Sequence, residues 1–202
     1  MTATLPELTL PAAAQDLLFR EARTANAFTD EPVTADEIRA VYDLVKYGPT
    51  AMNSQPLRIT LVASDEARQR LLPHMNDGNR AKTGAAPLVA ILSSDVDFHE
   101  NLPEVFPHAP GIRDMLHGNV DGRASMATLN AGLQIGYFIV GLRAAGLYAG
   151  PMTGFDAAGI DAEFFGGTAQ KTLVVVNIGH PAEDAYMDRL PRLDESRVIT
   201  VA

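Results

Sequence analysis

The residues best suited to chemistry in this chain are cations, amides and hydroxyls in short polar segments. They lie in five segments spread along the chain: Arg23-Thr24-x-Asn26, Pro49-Thr50-Ala51-x-Asn53, Asn79-x-x-Lys82, Met152-Thr153-Gly154 and Arg189. Arginine binds an anionic group through two parallel hydrogen bonds, and lysine supplies a compact positive charge. The segment ending at Gly154 precedes a predicted helix, whose first backbone N–H groups have no partner within the helix. Taken singly, each segment also has an ordinary interpretation as a helix end, a turn, a surface charge or a loop.

The overall charge makes a local cluster of cations informative. The chain has 202 residues and a net charge of −9, with 47% hydrophobic and 20% charged residues. This composition is typical of a globular protein, and the acidic balance disfavours nucleic acid or an anionic membrane as a general partner. An acidic chain that binds an anion has to gather its few cations in one place. The absence of cysteine excludes disulfides, thiolate catalysis and cysteine-based metal sites.

Common catalytic signatures are absent from the sequence. There is no G-x-G-x-x-G or G-x-x-x-x-G-K-[ST] phosphate loop and no G-x-S-x-G nucleophile elbow. The five histidines are His74, His99, His108, His117 and His180. Three of them recur every nine residues, which matches no common metal-ligand spacing. We therefore predict surface or loop histidines, with a ligand or substrate contact as the alternative.

One long apolar segment, residues 123–146, organises the predicted fold. Arg143 is its only charge between Ala124 and Ala145, and apolar residues fit helical spacing on more than one face. A helix that is apolar nearly all round is buried or spans a membrane. Asn130 and Gln134 would be costly in lipid, so we predict a buried core helix. Small residues would let a second subunit's copy of the helix approach closely: Ala127, Ala131, Gly132, Gly136 and Gly141.

Helical and strand patterns alternate along the rest of the chain. Helices are predicted at 11–23, 65–72, 76–83 and 156–164, and Leu17 of the first is expected to face inward. A further helix is predicted to begin at a capping box on Thr34 and to end before Gly48. Strands are predicted at 58–63, 87–93, 147–155, 172–178 and 197–202, the fourth being central because it is apolar throughout. Residues 95–119 are predicted to form a long loop with one short helix, which would be able to cover a site as a lid. The pattern predicts a mixed α/β fold with one small sheet, in a single domain over residues 1–202.

Jointly, the five polar segments resemble the ordered motifs of the FMN-dependent nitroreductase family. The resemblance rests on RTANAF (23–28), residues 49–56, Asn79-x-x-Lys82, GPMTGFD (150–156) and RLP (189–191), and it covers nearly the whole chain. No single motif would suffice, and the specificity comes from their order. Four segments look closest to the malonic semialdehyde reductase branch, which takes part in uracil breakdown: FPH (106–108), GPMTGFD (150–156), NIG (177–179) and RLPRL (189–193).

The resemblance implies an α+β sandwich with a small, mostly antiparallel sheet, dimeric around the long central helix, with swapped terminal extensions. Two FMN molecules would lie at the dimer interface. Arg23, Thr24 and Arg189 would hold the phosphate, and Asn26 would reach the ribityl chain or ring edge. Asn79 and Lys82 would meet the pyrimidine edge. The remaining contacts would come from Met152, Thr153 and Gly154 over the ring, and from Pro49, Thr50, Ala51 and Asn53 of the other subunit.

The implied activity is an FMN-dependent oxidoreductase with ping-pong kinetics, using NADH or NADPH and no obligatory catalytic side chain. Malonic semialdehyde reduced to 3-hydroxypropionate is the first acceptor considered, and a nitro compound or quinone the second. A flavin-binding protein without turnover and a structural dimer remain alternatives. The chain departs from the family at Ala22, Asn26 and Met187, where basic residues are frequent, and at Thr153, where a glutamate is common. Fewer cations predict weaker FMN binding. The N-terminus lacks signal-peptide features, which predicts a cytoplasmic location.

Overall fold

The structure is a computed structural model and describes residues 7–202. Within these residues the chain forms eight α-helices: α1 (Ala12–Gln15), α2 (Ala35–Val45), α3 (Asp65–Leu71), α4 (Asp77–Ala85), α5 (Leu102–Val105), α6 (Ile112–His117), α7 (Val120–Ala144) and α8 (Ala157–Phe165). The described strands are β1 (Leu57–Val62), β2 (Leu88–Asp95), β3 (Tyr148–Met152) and β4 (Gln170–Gly179). A π-helical turn, Asp16–Arg20, follows α1 directly, and 3-10 turns occur at Ala51–Asn53, Leu72–His74, Phe98–Asn101 and Glu195–Arg197. The signal-peptide prediction depends partly on residues 1–6, which lie outside the described residues.

The four strands form one antiparallel sheet in the order β1-β2-β4-β3. The position of β4 between two neighbours confirms that the apolar run 172–178 is central. Successive side chains of a strand point to opposite faces, so the core is divided in two. Ala90 and Leu92 of β2 pack with α2 and α7 on one face, whereas Val89 and Ile91 pack with α3 and α8 on the other. The predicted mixed fold with a single small sheet is therefore confirmed.

Helix α7 is buried on one face and exposed on the other in this single chain. Phe138 and Leu142 lie fully buried beneath the sheet, but Leu129 is 67% and Leu133 48% exposed. The prediction of a core helix is therefore confirmed for the inner face. Packing of the outer face against a copy of the helix in a second subunit stays a prediction. By length and composition α7 could cross a membrane, yet its inner face is packed against the sheet and α2, as in the core helix of a globular fold.

The glycines of α7 have different surroundings. A Cβ atom at Gly141 would lie 2.4 Å from Cγ1 of Val45, so this glycine allows α2 to approach within the same chain. A Cβ atom at Gly132 or Gly136 would meet nothing within 4 Å. Only the latter two glycines therefore lie on the open face that a second copy could use.

The start of α2 was predicted correctly, whereas the burial of its side chains was predicted correctly only in part. Thr34 and Glu37 form the predicted capping box, with both reciprocal hydrogen bonds present. Ile38 and Val41 are buried, but Tyr42, predicted on the same stripe, is 44% exposed. The same difference occurs near the N-terminus, where Leu17 is 42% exposed rather than facing inward. These errors concern side chains at the border of an apolar face, where helical spacing alone does not fix burial.

The C-terminal tail does not form the predicted strand within this chain. After the turn Glu195–Arg197, residues 198–202 have no strand partner among the described residues. Val198, Ile199 and Val201 are 67%, 66% and 94% exposed. Exchange of this terminal extension with a second copy stays a prediction.

The segment following the π-helical turn lies against β3. The Ala25 N–H donates to the Ala149 carbonyl oxygen at 3.1 Å, and the Asn26 N–H donates to the Ala185 carbonyl oxygen at 2.9 Å. A Cβ atom at Gly150 would come within 2.5 Å of the Ala25 carbonyl oxygen. Glycine is required here because two backbones meet without room for a side chain.

Residues 95–119 are a packed helical segment rather than a long loop. Phe98 and Leu102 are fully buried and Leu116 nearly so, and all three pack against Ala127 of α7. The prediction of a long loop with one short helix was wrong, because these short helices depend on contacts with α7 rather than on a sequence period of their own. A role of the segment as a lid stays a prediction.

His99 lies buried within this segment in a network of charged groups. Its ring Nδ1 is 2.8 Å from Nη1 of Arg123, and its Nε2 is 3.2 Å from both the Glu100 carboxylate and Nδ1 of His117. Arg123 also pairs with Asp97 at 3.3 Å, and Arg113 with Glu100 at 2.7 Å. Burial, together with the positive charge of Arg123, lowers the pKa of His99 below its ordinary value. The prediction of surface or loop histidines was therefore wrong for this residue.

The lowered pKa of His99 predicts a loss of stability in mild acid. The unfolded chain binds the proton more readily than the folded one, so the contribution is present above about pH 6.5 and is lost as the pH falls. The free energy of unfolding, measured with urea between about pH 7 and 5, should fall more steeply for the wild type than for His99→Gln. Parallel curves would show that His99 titrates alike in both states.

The contact between Gly150 and Ala25 predicts that Gly150→Ala destabilises the fold. The added methyl group would strike a backbone oxygen that has no alternative position, at a cost of ~1–3 kcal/mol in the free energy of unfolding. The matched control is Gly118→Ala, since a Cβ atom there meets nothing within 4 Å. Equal urea midpoints for the two variants would contradict the close approach.

Candidate functional site

A cavity of about 460 Å³ brings together the first and last of the polar segments. It lies between residues 22–26, the C-terminal part of α7, β3 and residues 187–192. Its lining includes three residues singled out near the N-terminus, Arg23, Thr24 and Asn26, and Arg189 from the C-terminal region. The fold thus gathers predicted site residues that are distant in the sequence.

Four arginines surround this cavity: Arg23, Arg143, Arg189 and Arg192. Asp188 is the single acidic residue among the described residues that line it. The excess of positive charge is local, since the whole chain carries −9. Such a concentration of guanidinium groups favours an anionic ligand that can accept several hydrogen bonds.

Backbone carbonyl groups hold the arginines in place. The Arg23 guanidinium donates to the Met187 carbonyl oxygen, and Nη2 of Arg189 donates to the Ala22 carbonyl oxygen at 3.4 Å. The two segments are therefore linked reciprocally across the cavity. Nε of Arg143 donates to the carbonyl oxygen of Leu17, in the π-helical turn, at 2.6 Å.

Two tyrosines form an aromatic floor under two of the arginines. The guanidinium carbon of Arg143 is 4.8 Å from the Tyr148 ring centroid, and that of Arg23 is 5.4 Å from the Tyr186 ring centroid. The two rings are 6.1 Å apart. Burial, with the neighbouring Tyr148, raises the pKa of Tyr186 to about 12. Tyr186 is therefore neutral at physiological pH, and cation–π contacts orient both guanidinium groups.

A second edge of the site is formed by α4 and the turn after β3. Nζ of Lys82 is 3.4 Å from Oδ1 of Asn26, which joins α4 to the cavity lining. Nδ2 of Asn79 donates to the Gly154 carbonyl oxygen at 2.9 Å. A Cβ atom at Gly154 would come within 2.6 Å of that same nitrogen, so glycine permits the contact. The segments of Asn26, Lys82 and Gly154 thus meet, and Met152 and Thr153 lie beside them.

The second edge and segment 49–53 both lie outside the described lining of the cavity. Within residues 7–202, segment 49–53 differs in that its side chains and backbone make no hydrogen bond to the other predicted site segments. Pro49, Thr50, Ala51 and Asn53 are absent from the described lining residues. The Ala51 N–H donates to Oδ1 of Asn130 at 2.7 Å, and Nδ2 of Asn53 donates to the Val105 carbonyl oxygen at 2.9 Å.

The backbone of this loop is unusual. Met52, Asn53 and Gln55 have positive φ angles of 54°, 49° and 42°, which non-glycine residues rarely adopt. The hydrogen bonds from Ala51 and Asn53 to α7 and α5 hold the loop in this conformation.

Sequence reasoning missed several residues of the site. Arg143 was visible as the lone charge of an apolar helix, but nothing in the sequence showed where its side chain ends. Arg192 lay within the RLPRL motif, but no role was assigned to it. Tyr148 and Tyr186 carried no signal, because only the fold places them beneath arginines.

A second group of polar residues, His99, Glu100 and His117, has ligand atoms within 4.8 Å of one another. Nη1 of Arg123 lies 2.8 Å from Nδ1 of His99 and 2.5 Å from its Nε2. A guanidinium beside both ring nitrogens disfavours a metal ion at His99, because the two positive charges would repel each other. Asp97 and Glu100 pair with the arginines of this network. His108 lies apart from it, with its ring tilted against that of Phe106 and the centroids 3.9 Å apart.

Comparison with known proteins identifies the relatives of this chain. The sequence profile of the nitroreductase family matches residues 19–180. A Streptomyces coelicolor protein named "Putative NADH dehydrogenase/NAD(P)H nitroreductase" is 62% identical over 193 residues, covering 96% of this chain and 98% of that protein. A protein of the same name from Leptothrix cholodnii is 50% identical over 185 residues, covering 92% and 94%.

Solved structures show the same fold at low sequence identity. A nitroreductase from Exiguobacterium sibiricum, solved in complex with FMN, has a TM-score of 0.82 at 17% identity and covers all of both chains. The ydfN nitroreductase from Bacillus subtilis has a TM-score of 0.82 at 19% identity, covering 94% of this chain and 99% of that one. With the profile match and the close sequence relatives, these findings establish that the chain belongs to the nitroreductase family.

Proposed function

We propose that this protein is an FMN-dependent NAD(P)H oxidoreductase that reduces small organic acceptors. The observation that carries the proposal is the meeting of two chemically different surfaces. One is the arginine-lined cavity, suited to a phosphate, and the other is the Asn79–Lys82 edge, suited to a ring with hydrogen-bonding oxygens and nitrogens. A flavin mononucleotide has both groups on one molecule. The relatives' names add NADH or NADPH as the electron donor, and a structural neighbour was solved with FMN.

The residues of the cavity fit the phosphate end of such a cofactor. Arg23 and Arg189 already face each other across the cavity through carbonyl contacts. A phosphate group, with its nearly doubled negative charge and several acceptor oxygens, would provide better partners than those carbonyls. The exposed hydroxyl of Thr24, which lines the same cavity, would donate one further hydrogen bond.

The second edge fits the ring end. Bound FMN supplies the ring that accepts a hydride from the nicotinamide and passes it to the acceptor. Lys82 would place positive charge beside the pyrimidine edge, which becomes more negative on reduction. Asn26 and Asn79 would fix the orientation of that edge through hydrogen bonds. Met152, Thr153 and Gly154 would cover the ring, and a backbone N–H of this turn would face its reactive nitrogen.

We also propose that the protein is a homodimer and that a second copy completes the site. The exposed outer face of α7, formed by Leu129, Gly132, Leu133, Gly136 and Tyr137, supports this arrangement. Isolated apolar residues are normal on a surface, but a continuous apolar stripe favours an interface. Residues 49–53 lie apart from the cavity of their own chain and would contact the flavin held by the other copy.

The proposed natural acceptor is malonic semialdehyde, reduced to 3-hydroxypropionate. Its support is the resemblance of FPH, NIG and RLPRL to that branch of the family. A nitro compound or a quinone is the second candidate, favoured by the names of the close relatives. Steady-state kcat/KM values for the three acceptor classes, each with NADH and NADPH, would decide among them. A higher value for the nitroaromatic or the quinone than for malonic semialdehyde would reject the first choice.

Anaerobic reduction tests the central proposal against a flavin carrier and a structural dimer. The purified protein, supplied with FMN, should show flavin absorbance after gel filtration. NADH or NADPH should bleach this absorbance without oxygen, and an acceptor should restore it. Absence of bound flavin would favour the alternative that the protein is a structural dimer without a cofactor. Bound flavin that neither nicotinamide bleaches would indicate a carrier.

Lys82→Met should retain FMN but lower its two-electron potential. In the wild type the positive charge of Lys82 stabilises the reduced, more negative ring, so its removal should make reduction less favourable. The loss of one charge-assisted hydrogen bond, ~1.5–3 kcal/mol, corresponds to a decrease in the two-electron potential of roughly 30–60 mV. Anaerobic titration against a reference dye measures the potential. Lys171→Met is the control, because Lys171 pairs with Asp161 at 3.5 Å. A Lys82 variant with the control's potential would place the lysine elsewhere.

Gly136→Leu should weaken the dimer and FMN binding together. A Cβ atom at Gly136 meets nothing in its own chain within 4 Å, so its own chain leaves room at this position. A clash with a second copy should cost ~1–3 kcal/mol. Light scattering and FMN titration provide the two readings, with Gly118→Leu as the control at another open glycine. A monomer that binds one FMN per chain with wild-type affinity would contradict the shared site.

A further inference from the structure

Arg143 is a buried cation without a carboxylate partner among residues 7–202. The residue is 5% exposed. Its Nε donates to the Leu17 carbonyl oxygen, but its Nη1 is buried and has no hydrogen-bond partner. Burying a charged donor without an acceptor is unfavourable, because the group loses its hydration and gains nothing in return. This guanidinium therefore lacks an acceptor that a ligand could supply.

The fold directs Arg143 to the cavity from the C-terminal end of α7. Its side chain forms part of the wall that Arg23 and Arg189 also line. Contact with the Leu17 carbonyl group fixes one edge of the guanidinium, and the Tyr148 ring supports its face at 4.8 Å. A side chain held in this way has little conformational entropy left to lose when it binds an anion.

We infer that Arg143 is a third phosphate-binding arginine that makes the site select a phosphorylated flavin over riboflavin. This inference rests on the proposed FMN-dependent function. A phosphate group has three terminal oxygens, and Arg23, Arg143 and Arg189 approach the cavity from three separate segments. Arg143 also supplies a cation in a site where Ala22 and Met187 supply none. Its contribution should be confined to the phosphate end, since the Asn79–Lys82 edge lies on another element.

A comparison of two flavins separates this role from a purely structural one. Dissociation constants for FMN and riboflavin are measured by flavin fluorescence on the full-length protein after cofactor removal. Arg143→Met keeps the length of the side chain but removes the charge. FMN affinity should fall about ten- to a hundredfold, as for the loss of a charge-assisted pair, while riboflavin affinity should change less than about twofold. Arg70→Met is the control, because Arg70 pairs with Glu163 between α3 and α8, and it should leave both affinities unchanged.

Each other outcome overturns the inference. An equal loss for both flavins would make Arg143 a structural residue that holds the cavity wall, and no loss for FMN would remove it from the phosphate site. If Arg143→Met does not fold by circular dichroism, Arg143→Lys is compared in the same way, and an unchanged ratio of FMN to riboflavin affinity overturns the inference. If neither variant folds, Arg143 is required for folding, and this outcome also overturns the inference.

The same binding experiment also tests the proposed function, independently of Arg143. A wild-type protein that binds neither flavin rejects the FMN-dependent function, whatever the variants do. The probe of Arg143 is then inorganic pyrophosphate, measured by thermal stabilisation. Stabilisation of the wild type that is lost in Arg143→Met supports an anion site at this arginine, and equal stabilisation of the two proteins overturns it.

Discussion

The concentration of positive charge around one cavity is the constraint on which the proposed site depends. Arginines brought together in a chain of net charge −9 repel one another unless each has a partner. The fold provides partial partners, as carbonyl oxygens of Ala22 and Met187 and as tyrosine rings. These contacts orient the guanidinium groups without neutralising them. An anionic ligand, as proposed, would complete the balance of charge at this cavity.

Backbone packing makes this arrangement possible. Segment 22–29 reaches the cavity because Gly150 lets it lie directly on β3, and β3 is held in turn by the central strand β4. Different parts of helix α7 have different roles. Its inner face covers the sheet, its outer face offers an apolar surface to a second copy, and its last turn carries Arg143. A change in the packing of α7 would therefore affect the core, the proposed dimer and the phosphate end together.

The sequence was most informative where a local pattern determines the structure. The largely apolar, β-branched segment 172–178 favours a central strand. Thr34 and Glu37 form the capping box that marks the start of α2. Residues 95–119 were misassigned because their short helices depend on buried contacts with Ala127, which no periodicity shows. The ordered motifs singled out Arg23, Thr24, Asn26 and Arg189, which line one cavity, and their roles toward a flavin stay predictions. Arg143 was missed because a missing hydrogen-bond partner is visible only in three dimensions. The single-domain assignment and the cytoplasmic location stay predictions.

A crystal structure of the purified protein with FMN is the most direct test of the account. The account predicts a dimer in which the phosphate oxygens lie within about 3.5 Å of guanidinium nitrogens from Arg23, Arg143 and Arg189. It also predicts that residues 49–53 of the second copy contact the same flavin. A phosphate bound away from the arginine-lined cavity, or a flavin held entirely by one chain, would contradict it.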